Sequence, residues 1–359
     1  MEKYGQYRDK GSGIAPFFPI SPPPTSPLWL PWHIILVCFR FPLITFAWIV
    51  WLVIIQWLPA GSVLRKANQW CLLGIPGVWW IDLQVDGVRR GSLAQTPKNR
   101  LPHPGTIIAS SYTSPLDVLY LAAIFDPIFT QSAPNSKLVR QISQESALAA
   151  CFCVQNPFTF GAKGSKHLSL ADLIKQNPSR IIVVFPEGTT SNGRGILRLS
   201  PSLLSAPSMT KIFPVSLRYT PPDVVTPIPG WAEALGFIWR LNSSQSHCIR
   251  VRIGGAISMA QAAARVPTLS TPPPASKQRS SVVRNGFESN YFDTLQASPA
   301  QKVAGDDEDE DDFTLSEKKA LDAIAHDLAR LGRVKPLALG MEEKGKFVDA
   351  WRKGSKSRK

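Results

Sequence analysis

Arg180-Ile181-Ile182-Val183-Val184 runs straight into Phe185-Pro186-Glu187-Gly188, and this junction constrains the fold more than any other stretch of the chain. The β-branched apolar run reads as a buried strand. Pro186 and Gly188 break it, so Glu187 is delivered at the mouth of that strand. The turn that follows, Thr189-Thr190-Ser191-Asn192-Gly193-Arg194, brings exposed backbone N–H groups, small hydroxyls and a guanidinium together. Such a set suits a phosphate, although an ordinary polar loop has the same composition.

Other strand-like runs fall at 79–85, 106–109, 151–154, 212–217 and 248–253, and helical patterns at 63–73, 116–125, 136–149, 167–175 and 231–241. The alternation predicts an α/β domain over 62–263, with a mainly parallel sheet flanked by helices. Ligands of such sheets sit beyond the C-terminal strand ends, which singles out the ends before Ser110 and before Pro186.

Residues 1–28 are polar and then proline-rich, and are expected to be extended or disordered. From 29 to 58 the chain is almost wholly apolar, long enough for a membrane anchor. Trp29, Trp32 and Trp57 stand near its ends like an interfacial aromatic belt. Arg40 beside Pro42 leaves two forms open, a spanning helix or a re-entrant pair of short helices. Arg65 and Lys66 follow the anchor, which by the positive-inside rule places the large C-terminal part in the cytosol. The sequon Asn242-Ser243-Ser244 would argue the other way if glycosylated. The formal charge of +14 points to anionic partners such as a phospholipid surface. Nucleic acid is the weakest candidate, since no zinc-knuckle, RNP-type or recognition-helix pattern occurs. The five cysteines share no metal-ligand spacing. Cys151 and Cys153 are expected on one face of a buried strand, and the chain in a reducing compartment.

The second strand end reads Ile107-Ile108-Ala109-Ser110-Ser111-Tyr112-Thr113-Ser114-Pro115-Leu116-Asp117. Ser114 can cap a helix that opens on Pro115. Asp117 falls in its first turn, where a side chain five residues earlier can fold back to meet it. Together with Phe185-Pro186-Glu187-Gly188-Thr189 and Ile212-Phe213-Pro214-Val215, this segment resembles the glycerol-phosphate and lysophospholipid acyltransferases. Their first motif is Asn-His-x-Ser-x-x-Asp, their third Phe-Pro-Glu-Gly-Thr, and their fourth an apolar run ending in Pro-Val. Order and spacing fit from about residue 105 to 253. Leu331-Gly332-Arg333-Val334-Lys335 and Phe347-Val348-Asp349-Ala350-Trp351 are similar to the tail of a fungal branch. That branch contains an oleoyl-CoA-preferring lysophosphatidate acyltransferase of the endoplasmic reticulum and lipid droplets.

The resemblance implies that a hydroxyl of a lysophospholipid attacks the thioester of acyl-CoA, a co-substrate, with no cofactor or metal. In the family, His takes the hydroxyl proton and Asp orients that imidazole. The carry-over makes Asp117 the orienting carboxylate, with Tyr112 at the base position. Ser114, Glu187, Gly188, Thr189, Thr190 and Arg194 then fall beside the acceptor, and Pro214 on the acyl-CoA side. Membrane lipids are the further expected partner.

Tyr112 departs from the family pattern. A phenol titrates near pH 10, whereas a general base works best near the operating pH, and a nearby Asp117 would disfavour phenolate. Three alternatives follow. His103 or His167 could supply an imidazole, although His103 stands at the far end of the same strand. The acceptor's own phosphate could take the proton while the site positions the hydroxyl. Or the domain binds lipid without turnover, in trafficking or lipid-droplet organisation. The arginine that closes the family's second motif is also missing, with Lys163 and Lys166 nearby in a glycine-containing loop that an ordinary solvated surface explains equally.

After 263 the composition turns to Pro, Ser and Thr and then to Asp306–Asp312, which predicts a disordered acidic linker over 264–313. Thr314 and Glu317 form a capping box, and Leu321, Ile324, Leu328 and Leu331 an apolar stripe. A second helix is expected over 341–351. The region 314–352 thus reads as a helical hairpin docked as a structural appendage, before a basic tail at 353–359.

Overall fold

The computed structural model describes residues 2–24, 26–88, 98–153, 167–264 and 314–356. The chain divides into two compact units, Met1–Arg265 with Ser316–Lys359, and Val266–Leu315. Nearly all of the second, including the acidic linker, lies outside the described residues.

In chain order the first unit holds α1 (Leu30–Val53), α2 (Val63–Gly74), β1 (Val78–Val85), β2 (Ile107–Ser110), α3 (Pro115–Phe125), β3 (Ile128–Ser132), β4 (Val139–Ile142) and α4 (Gln144–Ala150). There follow β5 (His167–Leu168), α5 (Leu170–Gln176), β6 (Ile182–Val184), β7 (Gly195–Ile196), β8 (Ile212–Thr220), α6 (Trp231–Ser243), β9 (His247–Ile253) and α7 (Met259–Ala264). The chain ends with α8 (Leu315–Gly332), β10 (Lys335–Pro336) and α9 (Met341–Lys356). Eight strands form one sheet in the order β1-β9-β8-β2-β6-β3-β4-β5. Its centre is parallel: β8, β2, β6 and β3 run the same way, with Ala109 level with Pro214 on one side and Val184 on the other. Antiparallel pairs occur between β8 and β9, β3 and β4, and β4 and β5.

The apolar run 181–184 is buried throughout, because the sheet is covered on both faces. On one face Ile108, Val183 and Phe213 pack under α2 and α3. On the other, Ile107, Ile182 and Ile212 pack with α5 and with Ala320, Ile324 and Leu328 of α8. The last carbonyls of α8 lack helical partners. Arginines of the sheet supply donors, Arg252 to Leu331 O at 2.9 Å and Arg218 to Gly332 O at 2.9 Å.

Several local expectations give way. The run 151–154 is not a strand: Cys151 and Cys153 sit in a turn after α4, one buried and one exposed, and Val154 lies outside the described residues. Nor is 136–149 one helix. Ser143 caps α4, accepting from Ser146 N at 3.2 Å, so the helix begins there and Val139–Ile142 is left to pair antiparallel with β3. His167 and Leu168 likewise form β5 ahead of a helix capped by Ser169.

The two ends of the unit differ most from expectation. Residues 1–28 are not simply disordered: Phe17 is wholly buried, and Tyr4, Tyr7 and Phe18 surround Phe347 of α9 in an aromatic cluster. Helices α8 and α9 do not form a self-contained hairpin. The stripe of α8 joins the sheet core, whereas α9 joins this N-terminal cluster. Between them Lys335 and Pro336 pair with Gly195 and Ile196, directly behind the Glu187 turn. α1 lies within a segment, Pro27–Trp57, long and apolar enough to cross a membrane. Its length and apolar composition suggest membrane association.

Candidate active site

The two sequence-flagged loops lie side by side because β2 and β6 are adjacent and parallel. Their C-terminal ends open on the same edge of the sheet, and backbone groups join the loops: Ser191 N donates to Tyr112 O at 3.0 Å. Glu187 Oε1 accepts from Tyr112 N at 3.2 Å and Oε2 from Leu197 N at 3.1 Å, so the buried carboxyl staples both loops together. A third segment crosses them. Ser114 Oγ donates to Val224 O and Thr190 Oγ1 to Thr226 O at 2.7 Å, and Thr226 N donates to Thr113 O at 2.9 Å.

Ser114 caps α3 with Pro115 at its first position, as the sequence predicts. Asp117, three residues in, completes a capping box. Its Oδ2 accepts from Thr113 N at 2.6 Å, Ser114 N at 2.9 Å and Thr113 Oγ1 at 3.1 Å. Its Oδ1 accepts from the phenol of Tyr219 on β8. Burial pushes this carboxyl up to about 6, against the pull of the Tyr219 and Thr113 hydrogen bonds.

Tyr112 does not meet Asp117 through its side chain. The phenol turns into the core, stacks on Phe185 at 4.3 Å, donates to Ala147 O at 2.8 Å and accepts from Cys151 Sγ at 3.2 Å. Burial first, then the neighbouring Cys151, holds it well above its ordinary value. The fold-back expected from the five-residue spacing fails because Tyr112 is large and apolar enough to join the core beneath the loop. Tyr219, distant in sequence, takes the place beside Asp117. Among the described residues no imidazole hydrogen-bonds to Asp117. His103 stays in the turn before β2, its Nδ1 3.1 Å from Leu101 O. His167 lies on β5, four strands from β2 in the sheet order, roughly 19 Å away at about 4.8 Å per strand.

Around the Glu187 turn the chain's own C-terminus provides a residue the sequence did not flag. Lys344 of α9 is buried, and its ammonium donates to Thr190 O at 2.6 Å and to Thr190 Oγ1 at 2.8 Å. Burial pushes Lys344 down to about 7, and pushes the Glu187 carboxyl up to about 8. The amphipathic pattern of α9 gave a helix but no signal that one of its lysines faces inward. Gly188 adopts φ 61°, and a Cβ there would overlap Met341 Cε at the start of α9. Thr189 and Thr190 are buried within the turn. Arg194, at the end of the turn, is exposed. Pro214, early in β8, is buried within the sheet, abuts Gly254 and lies level with Ala109, one residue short of the end of β2. Lys163 and Lys166 lie outside the described residues. No three His, Cys, Asp or Glu groups are placed to hold a metal among the described residues. A cavity of about 290 Å³ between the end of α1 and β3–β4 is lined by Arg65, Asp126, Glu145 and Arg180, and by none of the motif residues.

The capped Ser-x-x-Asp turn and the Pro-Glu-Gly-Thr turn at neighbouring parallel strand ends are the features on which the resemblance to glycerolipid acyltransferases rests. Residues 93–218 match the family model described as Acyltransferase, and the chain carries an enzyme domain of that family. Among named proteins it is similar to "Putative lysophosphatidic acid:oleoyl-CoA acyltransferase" of Schizosaccharomyces pombe, 28% identical over 260 residues, covering 70% of this chain and 83% of the relative. It is also similar to "Lysophosphatidic acid:oleoyl-CoA acyltransferase 1" of Saccharomyces cerevisiae, 24% identical over 204 residues, covering 56% of this chain and 61% of the relative.

Proposed function

We propose that this acyltransferase transfers an acyl group from acyl-CoA to the free hydroxyl of lysophosphatidate, giving phosphatidate for glycerolipid synthesis. It would act at the endoplasmic reticulum membrane or the lipid droplet, with its catalytic domain facing the cytosol. The observation that carries the reading is the Glu187 staple: one buried carboxyl fixes the Ser-x-x-Asp loop against the Pro-Glu-Gly-Thr loop. The names of both fungal relatives supply the substrate pair.

Tyr112 is locked on Ala147 and Cys151 and is not the base in this reading. The acceptor's phosphate takes the hydroxyl proton as the hydroxyl oxygen bonds to the thioester carbon. The carbon–sulfur bond then breaks, and the departing thiolate recovers the proton from the phosphate. Positioning of two bound reactants supplies much of the acceleration in such a scheme. A second reading, lipid binding without turnover, is favoured by the absence of an imidazole beside Asp117 among the described residues.

The test is transfer from labelled oleoyl-CoA in membranes containing the full chain, across several lysophospholipids. Phosphatidate formed above the level of control membranes supports the first reading. An inactive wild type that binds lysophosphatidate, with activity appearing in Tyr112→His, supports the second.

A further inference from the structure

Most of the Glu187–Arg194 turn uses its backbone donors within the protein. Ser191 N donates to Tyr112 O at 3.0 Å and Asn192 N to Pro16 O at 2.8 Å. Gly193 N donates to Ser191 Oγ at 3.3 Å and Arg194 N to Asn192 Oδ1 at 3.1 Å. The N–H groups of Thr189 and Thr190 are different: among the described residues neither has a hydrogen-bond acceptor. Both residues are buried, and buried N–H groups without a partner are rare and costly. These two are consecutive and follow Gly188 in its left-handed conformation, φ 61°. Successive N–H groups in such a turn form a concavity that favours an anion.

A cation reaches the same two residues from α9. An ammonium has three N–H donors, and Thr190 O and Thr190 Oγ1 accept two of those of Lys344, at 2.6 and 2.8 Å. The side chain is buried, and among the described residues no carboxylate lies within ion-pairing distance of it. It feels the charge of Glu187 and of Cys151. Glu187 uses both oxygens on the N–H groups of Tyr112 and Leu197, and burial holds the Cys151 thiol neutral, at about 12. A buried ammonium held by neutral oxygens alone is destabilising, and an anion beside it offsets that cost. The Thr189 hydroxyl also makes no hydrogen bond among the described residues.

This set of unused donors fits one kind of anion best. A phosphomonoester offers three acceptor oxygens and about two negative charges, whereas a phosphodiester offers fewer of both. Arg194, the cation that the turn itself carries, is exposed. Lys344 comes instead from a helix beyond residues 93–218, the part that matches the family model.

We propose that Lys344 and the Thr189–Thr190 pair form a pocket for a phosphomonoester, so that the C-terminal helix selects lysolipids bearing that group. Naming lysophosphatidate as the ligand rests on the acylation reading above; the pocket itself does not.

Binding is measured without acyl-CoA, so that turnover plays no part. The full chain in neutral detergent micelles is titrated with lysophosphatidate, with lysophosphatidylglycerol of the same acyl chain, and with glycerol 3-phosphate. Wild type should bind lysophosphatidate about tenfold more tightly than either of the others, the scale of one charge-assisted hydrogen bond. Glycerol 3-phosphate bound as tightly as lysophosphatidate would overturn the lysolipid as the source of the phosphate. Lys344→Met should erase the preference for lysophosphatidate over lysophosphatidylglycerol. Thr189→Val removes a hydroxyl that bonds to nothing in the protein, so a purely structural role predicts no change; a preference weakened severalfold is expected. Urea transitions establish that each variant is folded, and Thr189→Val carries the test alone if Lys344→Met is not. A folded variant that keeps the wild-type preference, or that loses affinity for both lysolipids equally, would overturn the pocket and leave Lys344 a staple of α9. The two readings fail separately. A wild type that shows the preference but transfers no acyl group keeps the pocket and loses the acylation reading, and one that acylates lysophosphatidate without the preference does the reverse.

Discussion

The ammonium of Lys344 donates to both the carbonyl and the hydroxyl of Thr190, at 2.6 and 2.8 Å, across 154 residues of sequence. The C-terminal helix is thereby a wall of the Glu187–Arg194 loop, with Glu187 stapled across the two motif turns.

This burial makes a signed pH dependence. Glu187 sits at about 8 in the folded chain, above its ordinary 4.5, so the native state retains a proton that the unfolded chain has lost. Stability from this group therefore falls as pH rises from about 4.5 to about 8. Lys344 sits at about 7, below its ordinary 10.5, so the unfolded chain holds the extra proton and stability rises from about 7 to about 10.5. The two slopes oppose each other between about 7 and 8. Urea midpoints taken against pH, as differences from wild type, should lose the acidic fall in Glu187→Gln and the alkaline rise in Lys344→Met. Difference curves flat throughout would show that neither group is so perturbed.

Tyr112→Phe separates packing from chemistry. The ring can keep its stack on Phe185, while the bond to Ala147 O is lost. A stability decrease of about 1 kcal/mol is expected, with lysophosphatidate acylation retained at wild-type rate. Abolished turnover in a folded Phe variant would restore Tyr112 as the base.

What the sequence revealed and what it concealed divide along physical lines. The buried strand at 180–185, the Ser114 cap and the Pro186–Gly188 break rest on local signals, and the parallel centre followed from them. The hairpin β3–β4 was missed because Thr130, Gln131, Arg140 and Gln141 dilute the apolar pattern, and strand pairing is not a local property. At the site, the first helical turn places Asp117, and the family motif it matches singles it out. Its partner Tyr219 was not, since it arrives from β8. Lys344 looked like any lysine of an amphipathic helix, and the packing of Phe17 and Phe347 was hidden by a proline-rich composition that ordinarily means disorder.

Asp117 and Tyr219 should behave as one unit. Tyr219→Phe leaves a buried carboxylate oxygen without that donor, and is expected to cost about 1–3 kcal/mol. Asp117→Asn also disturbs the cap made with Thr113 and Ser114. In the double variant the losses should fall short of their sum by about 0.5 kcal/mol or more, the coupling of directly bonded residues. Strict additivity in urea denaturation would mean that the contact is energetically idle.

Gly188 provides the most direct check that α9 rests on the Glu187 turn. An alanine there meets two separate penalties: a left-handed backbone at φ 61°, and a Cβ that overlaps Met341 Cε. The backbone part costs about 1–2 kcal/mol and belongs to the turn alone. The steric part belongs to the contact with α9, and shortening Met341 removes it. Gly188→Ala should therefore lower stability by more than the backbone part and expose α9 to limited proteolysis. Adding Met341→Ala should restore protection of α9 relative to Gly188→Ala while leaving the backbone cost in place. If α9 stays equally protected in Gly188→Ala and in wild type, the helix does not bear on Gly188, and Lys344 would then have to reach Thr190 by some other docking of the C-terminus.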